Sequence, residues 1–175
     1  MLKAEVGDIT KVNTEAIVNA ANGIGVLGKG VAGAIRQAAG DIVRDEARSK
    51  YKENKFPFEE GTFYTTSAGS LIQQGIKSVY HAVTMKFPGS RSSLSAVEKV
   101  LNRILVDAQK NKIKSIAIPG LGTGIGGLDK TSVANITAIV CRKYSMNLDI
   151  LIIDIDERFI DAVKKNILVQ GENHP

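Results

Sequence analysis

The chain has 175 residues, 43% hydrophobic and 23% charged, a length and balance that suit one core burying roughly two-thirds of the unfolded surface and that argue against disorder or a membrane-embedded class. Its net charge of +5 and pI near 9.3 favour an anionic partner such as a nucleotide, nucleic acid or phosphorylated substrate, although the basic residues form no dense run. One cysteine, Cys141, excludes an internal disulfide, and with only His81 and His174 the chain offers no cluster of soft ligands for zinc.

The opening Met1-Leu2-Lys3-Ala4-Glu5 carries no apolar run or small-residue cleavage site, and no stretch is apolar for long enough to span a bilayer, so a cytoplasmic protein without a membrane partner is expected. The first strand-length apolar run is Ala16–Asn19. A glycine-rich loop leads from it into a helix beginning near Val31, and Asp45 and Glu46 fall in a further helical stretch. Residues 52–57 and 86–91 read as surface loops flanking a strand, Ser78–Val83. In Ser95–Lys110 the apolar positions Val97, Val100, Leu101, Ile104, Leu105 and Ala108 share one helical face, and Ser95 with Glu98 has the spacing of a capping box. A short strand follows, Ser115–Ile118, then a second glycine-rich loop and a helix after Asp129 with Val133, Ile136 and Val140 on one side.

The near-continuous apolar run within Asp149–Asp154 predicts a strand covered on both faces, and Ile160, Val163 and Ile167 a last helix. Alternation of this kind predicts an α/β fold, a three-layer α/β/α sandwich around a mixed, mostly parallel sheet. One domain over 1–170 with a short tail at 171–175 is the expected organisation.

Two loops concentrate the chemistry. Asn22-Gly23-Ile24-Gly25-Val26-Leu27-Gly28-Lys29-Gly30 leaves the first of these strands, and Pro119-Gly120-Leu121-Gly122-Thr123-Gly124-Ile125-Gly126-Gly127 leaves the third. Ligands of open α/β sheets bind beyond the carboxyl ends of the strands, where glycine lets backbone N–H groups approach an anion at a helix N-terminus. Each loop alone could be a tight turn. Two of them, each at the exit of a buried strand, favour a phosphate. Gly23 to Gly28 fits a dinucleotide fingerprint, but no acidic residue ends a second strand at the right distance. Gly23 to Lys29 fits a P-loop, but Gly30 stands where its Ser or Thr should be.

Taken together, Gly7-Asp8-Ile9-Thr10, Ala16 through Asn22, Gly28-Lys29-Gly30-Val31, His81-Ala82-Val83, Ile118-Pro119 and Gly122 through Gly126 resemble the macro domain in order and spacing, over roughly residues 1–167. That family consists of α/β/α modules that bind ADP-ribose, many of which remove it from proteins or metabolites. The resemblance implies that Asp8 accepts a hydrogen bond from the adenine amino group, that the Ile9 backbone contacts the ring, and that Asn22 faces the distal ribose. It places the backbone N–H groups of Gly28, Lys29, Gly30 and Val31 on one part of the diphosphate and those of Thr123, Gly124, Ile125 and Gly126 on the other, with Val31 and Ile125 as apolar lids. Asn19 and Gly122 complete the implied ligand-contacting set, and neither a metal nor a cofactor is required. Read locally, Asp8 is instead a turn residue and Asn22 a capping residue.

The same comparison implies a departure. Many hydrolytic relatives carry an aspartate just beyond the first loop, where this chain has Ala32. The expectation is therefore an ADP-ribose binder whose hydrolytic activity towards ADP-ribosylated proteins, ADP-ribose 1″-phosphate or O-acetyl-ADP-ribose is left open, Asn22 being the one catalytic candidate. A non-catalytic reader of poly-ADP-ribose or RNA is the alternative. Cys141, inside a helix, and His81, placed at a strand end, are read as structural, and Phe159 as core although an aromatic in that region could stack on the ligand.

Overall fold

The computed structural model describes residues 1–171; of the expected tail at 171–175 only Gly171, the end of the last helix, is within them, and the rest lies outside the described residues. Six strands form one sheet in the order β1-β6-β5-β2-β4-β3: β1 Leu2–Val6, β2 Ala16–Asn22, β3 Phe63–Ser67, β4 Ser78–Met85, β5 Ser115–Ile118 and β6 Asp149–Asp154. All neighbours run parallel except β3, which is antiparallel to β4. The helices are α1 Gly30–Ala39, α2 Asp41–Asn54, α3 Leu94–Lys110, α4 Lys130–Tyr144 and α5 Glu157–Gly171. The fold is the expected mixed sheet between helical layers.

Strand side chains alternate between two cores, because successive residues of an extended chain point to opposite faces. Ala16, Val18, Tyr80, Ala82, Ile116, Ile118, Ile150 and Ile152 face the layer of α3, α4 and α5, where Val100, Leu101, Ile104 and Phe159 are fully buried. Ile17, Val79, Val83, Ala117 and Ile153 face the other way, against Ile35 and Ala39 of α1, Val43 and Ala47 of α2, and a 3₁₀ turn at Ile9–Lys11. Phe159 is thus core, as its helical spacing suggests.

Several expected boundaries move. The cap of α3 is Ser93, whose hydroxyl accepts from the Ala96 amide at 3.1 Å, so the Ser95–Glu98 pair lies within the helix. α2 runs through Asn54, replacing half of the loop expected at 52–57. His81 sits inside β4, not at its end.

The topology opens a crevice. Beyond β2 the chain crosses to α1 on one face, whereas beyond β5 it crosses to α4 on the other, so adjacent strands β2 and β5 send their loops to opposite sides of the sheet. That is the switch point at which open α/β sheets bind ligands. The pairing of β2 with β5 covers only Ala16↔Ile116 and Ile17↔Ala117, while β2 continues to Asn22 along β4. The two strands therefore part towards their carboxyl ends, and the glycine loops stand on either side of the gap.

Candidate functional site

The first loop is shaped by its own residues. Asn22 closes it, its amide donating to the Val26 carbonyl at 2.8 Å while its side-chain oxygen accepts from the Ile24 and Val26 amides at 3.2 Å each. Gly23 is clamped between neighbouring segments, donating to the Met85 carbonyl at 3.0 Å and accepting from the Phe58 amide at 2.8 Å. A β-carbon on Gly25 would meet the Ala47 carbonyl oxygen at 2.7 Å, so glycine there serves packing against α2.

The second loop is braced from β6 and from the segment before α3. Asp154, at the end of β6, accepts from the Gly120 amide at 2.9 Å with one carboxylate oxygen and from the Asp156 amide at 3.0 Å with the other. Asp156 in turn pairs with Lys130 and caps α5 through the Arg158 and Phe159 amides. The hydrogen bond from Lys130 holds the Asp156 carboxyl below its usual range. Ser92 donates its amide to the Gly126 carbonyl at 3.1 Å, and Leu128 donates to the Gly122 carbonyl at 3.0 Å.

The glycines of both loops divide into two kinds. Gly122 and Gly126 are buried, and a β-carbon would approach Leu128 Cδ1 at 2.8 Å in the first case and the Gly122 carbonyl oxygen at 2.8 Å in the second. Packing against backbone requires glycine at Gly126, and at Gly122 a φ of +76° favours it as well. Gly28, Gly30 and Gly124 are exposed, and a β-carbon on any of them would meet nothing within 4 Å. Nothing inside the protein asks for glycine at Gly28 or Gly124; a close-fitting ligand would. At Gly30, φ is +63°, so backbone conformation favours glycine as well.

Eight backbone N–H groups border the gap without a protein acceptor among the described residues: Gly28, Lys29, Gly30 and Val31 on one side, Thr123, Gly124, Ile125 and Gly126 on the other. The first four include the start of α1, whose cap residue Lys29 supplies no side-chain cap. Amides at a helix start attract an anion through both hydrogen bonding and the helix dipole. Two large apolar side chains are exposed here, Ile125 in the second loop at 66% and Ile155 just after β6 at 80%.

At the β1 end of the same edge, Asp8 caps the 3₁₀ turn, one carboxylate oxygen accepting from the Thr10 amide at 2.9 Å and from its hydroxyl at 2.7 Å. The second oxygen has no protein partner among the described residues. Burial opposes the charge on Asp8, but the Thr10 hydrogen bonds and nearby Lys11 outweigh it and hold the carboxyl below its usual range. Both local readings are therefore observed: Asp8 is a turn cap and Asn22 a loop cap. Each keeps one polar position free, an oxygen on Asp8 and an amide hydrogen on Asn22.

Asn19 stands apart from the open surface. Buried in β2, its amide donates to His81 Nδ1 at 3.0 Å, His81 Nε2 meets the Thr66 hydroxyl at 2.9 Å, and that hydroxyl donates to the Ser67 carbonyl at 3.0 Å. This chain of donors fixes neutral His81 with its proton on Nε2. Tyr64 stacks on the imidazole with 4.7 Å between ring centres. Burial pulls the His81 pKa down to about 3 and pushes that of Cys141 up to about 12. Neither group is available as base or nucleophile. Ala32, within α1, packs into the core. The braces Asp154, Ser92 and Thr66 escape sequence reasoning, since only the fold brings them to their partners.

A crevice at the switch point, bordered by two sets of backbone amides without protein acceptors among the described residues, marks an open α/β fold. The family model for the macro domain matches residues 18–137, and the chain belongs to that family. It is 36% identical over 166 residues to an uncharacterized protein of Aquifex aeolicus, covering 94% of this chain and 96% of the relative. An O-acetyl-ADP-ribose deacetylase of Salmonella typhimurium is 28% identical over 172 residues, covering 95% of this chain and 94% of the enzyme. Among solved structures, a mutant of the Oceanobacillus iheyensis macrodomain with ADPR superposes with a TM-score of 0.87 at 25% identity, covering 98% of this chain and 94% of that one. Among the described residues, no helix is long and apolar enough to cross a membrane.

Proposed function

We propose that this chain binds ADP-ribose, free or attached to a protein, in the crevice between the β2 and β5 loops. The observation that carries the reading is the pair of facing amide sets, four from Gly28–Val31 and four from Thr123–Gly126, with no protein acceptor among the described residues. Such a cradle matches a diphosphate, whose oxygens take charge-assisted hydrogen bonds without a metal. The free oxygen of Asp8, held ionised, suits an adenine amino group. Asn22 would meet the distal ribose with its remaining amide hydrogen, and Asn19 would support β2 from beneath through His81. Gly122 and Gly126 shape the second loop, while Val31 and Ile125 cover the phosphates.

The ADPR-bound macrodomain and the deacetylase relative support the reading by likeness. Turnover of an ADP-ribosyl substrate is a second reading, favoured by the Salmonella relative. With alanine at position 32, a step of this kind would rely on Asn22 to place the ribose and on the substrate's own phosphate to orient water.

Titration calorimetry with ADP-ribose, AMP and ATP tests the binding reading. ADP-ribose should bind at least about tenfold more tightly than AMP, a difference of about 1.4 kcal/mol; equal affinities would overturn it. Incubation with a mono-ADP-ribosylated protein and with O-acetyl-ADP-ribose, following released ADP-ribose, separates enzyme from reader. An RNA reader would instead lose affinity steeply as salt rises, whereas a pocket for one diphosphate would lose little.

A further inference from the structure

The sheet has two open edges, β1 and β3. Along β1, the Met1 carbonyl accepts from the Ile150 amide at 2.8 Å and the Gly7 amide donates to the Asp154 carbonyl at 3.0 Å. In a parallel ladder, residues that turn their N–H and C=O to the partner strand alternate with residues that turn them away. Odd positions of β1 therefore serve β6, and Leu2, Ala4 and Val6 direct their backbone groups out of the sheet. A row of free donors and acceptors like this is a template for another strand.

The side chains specify which strand. Lys3 and Glu5 are exposed, share the face opposite α5, and enter no ion pair among the described residues. Charged residues on an edge usually repel foreign strands. These two are self-complementary instead. If β1 meets a second β1 antiparallel about Ala4, Lys3 falls opposite Glu5 twice, at the non-hydrogen-bonded positions where side chains come closest. Leu2 falls opposite Val6 twice on the other face. The same register puts Leu2, Ala4 and Val6, the outward residues, at the hydrogen-bonded positions. Backbone parity and side-chain charge thus select one register independently.

β3 has no such pattern. Its sequence Phe63-Tyr64-Thr65-Thr66-Ser67 is uncharged, and Glu46 takes its Ser67 amide at 2.6 Å.

We propose that β1 is a homodimer interface, in which two copies pair antiparallel through Leu2–Val6 and join their sheets into one continuous sheet. The two β1 strands run in opposite directions about the twofold axis, so the carboxyl-end crevices point to opposite edges and both stay open. A five-residue strand pair is small beside the interfaces of permanent dimers, so the association is weak, half complete at a chain concentration on the order of 100 µM.

Sedimentation equilibrium on the full chain, from about 10 µM to about 1 mM, tests it. The parent should pass from monomer to dimer across that range. Lys3→Glu places like charges opposite one another twice, as does Glu5→Lys, and each should raise the midpoint about tenfold or more. Mixing the two variants should restore association, because each Glu then meets a Lys across the pair. Ala4→Pro removes a donor that β6 does not use and should abolish the dimer. Should Ala4→Pro fail to fold, the mixing experiment still decides. A parent that stays monomeric throughout, single variants that associate like the parent, or a mixture no stronger than its components would each overturn the proposal.

Discussion

Replacing Gly124 or Gly28 by alanine separates what the glycine loops do for the fold from what they do for a ligand. Neither position has φ in the left-handed region, and the added β-carbon meets nothing within 4 Å. Folding should therefore be unharmed; reduced freedom of the unfolded chain gains about 0.4–1 kcal/mol at such sites, a rise of about 1–4 °C in Tm for a chain of this size. If the crevice holds the diphosphate as proposed, the methyl group would occupy space that a phosphate oxygen needs to reach the loop amides. Losing one hydrogen bond to a charged group costs about 1.5–3 kcal/mol, or roughly 10- to 150-fold in affinity. Gly126→Ala is the contrast, since its β-carbon would crowd the Gly122 carbonyl oxygen at 2.8 Å and should lower Tm without ligand. Calorimetry with ADP-ribose beside thermal melts of the free proteins measures both effects. If Gly124→Ala and Gly28→Ala bind ADP-ribose as the parent does, the crevice is not the diphosphate site.

Stability should fall in mild acid through His81. Its folded pKa, near 3, is lowered from 6.5 by burial, so the native state keeps it neutral while the unfolded chain takes up a proton. The contribution is complete above about pH 6.5, is lost as pH falls towards 3, and amounts to about 2 kcal/mol between about pH 7 and about pH 5. Urea titrations at the two pH values should show this loss in the parent and a flatter dependence in His81→Gln. Asp8→Asn, which keeps the shape but removes the charge proposed to meet the adenine amino group, should weaken ADP-ribose about tenfold in calorimetry, as expected for one hydrogen bond to a charged acceptor. Asn22→Ala should impair any turnover more than binding; because it also frees Ile24 and Val26, unfolding experiments should register a cost of about 1–3 kcal/mol.

Much of the architecture was legible in local pattern. α3, α4 and α5 announce themselves because one apolar stripe per helix suffices to predict a packed face, and β6 because both its faces are covered. β1 and β3 were missed for the opposite reason. Leu2–Val6 buries only one face and carries Lys3 and Glu5 on the other, and Phe63–Ser67 mixes aromatics with hydroxyls, so neither has the density of a buried strand. Ser95 mimicked the α3 cap because the spacing to Glu98 is right; the hydroxyl that reaches a free amide belongs to Ser93, two residues earlier.

The glycine loops themselves, their position at strand exits and their pairing with Asp8 and Asn22 are properties of residue order, and order alone pointed to a phosphate site and to the macro domain. What order could not decide is the use each residue is put to. Whether a glycine is needed for packing, as at Gly126, or leaves open space, as at Gly28 and Gly124, depends on which atoms a β-carbon would meet, and those include Ser92 from a distant segment. The tautomer of His81 depends on Asn19, 62 residues away, and the hold on the second loop on Asp154, 34 residues beyond Gly120. Periodicity and turn chemistry are local and survive in a linear text, whereas burial and hydrogen-bond satisfaction are properties of neighbours that only folding brings together.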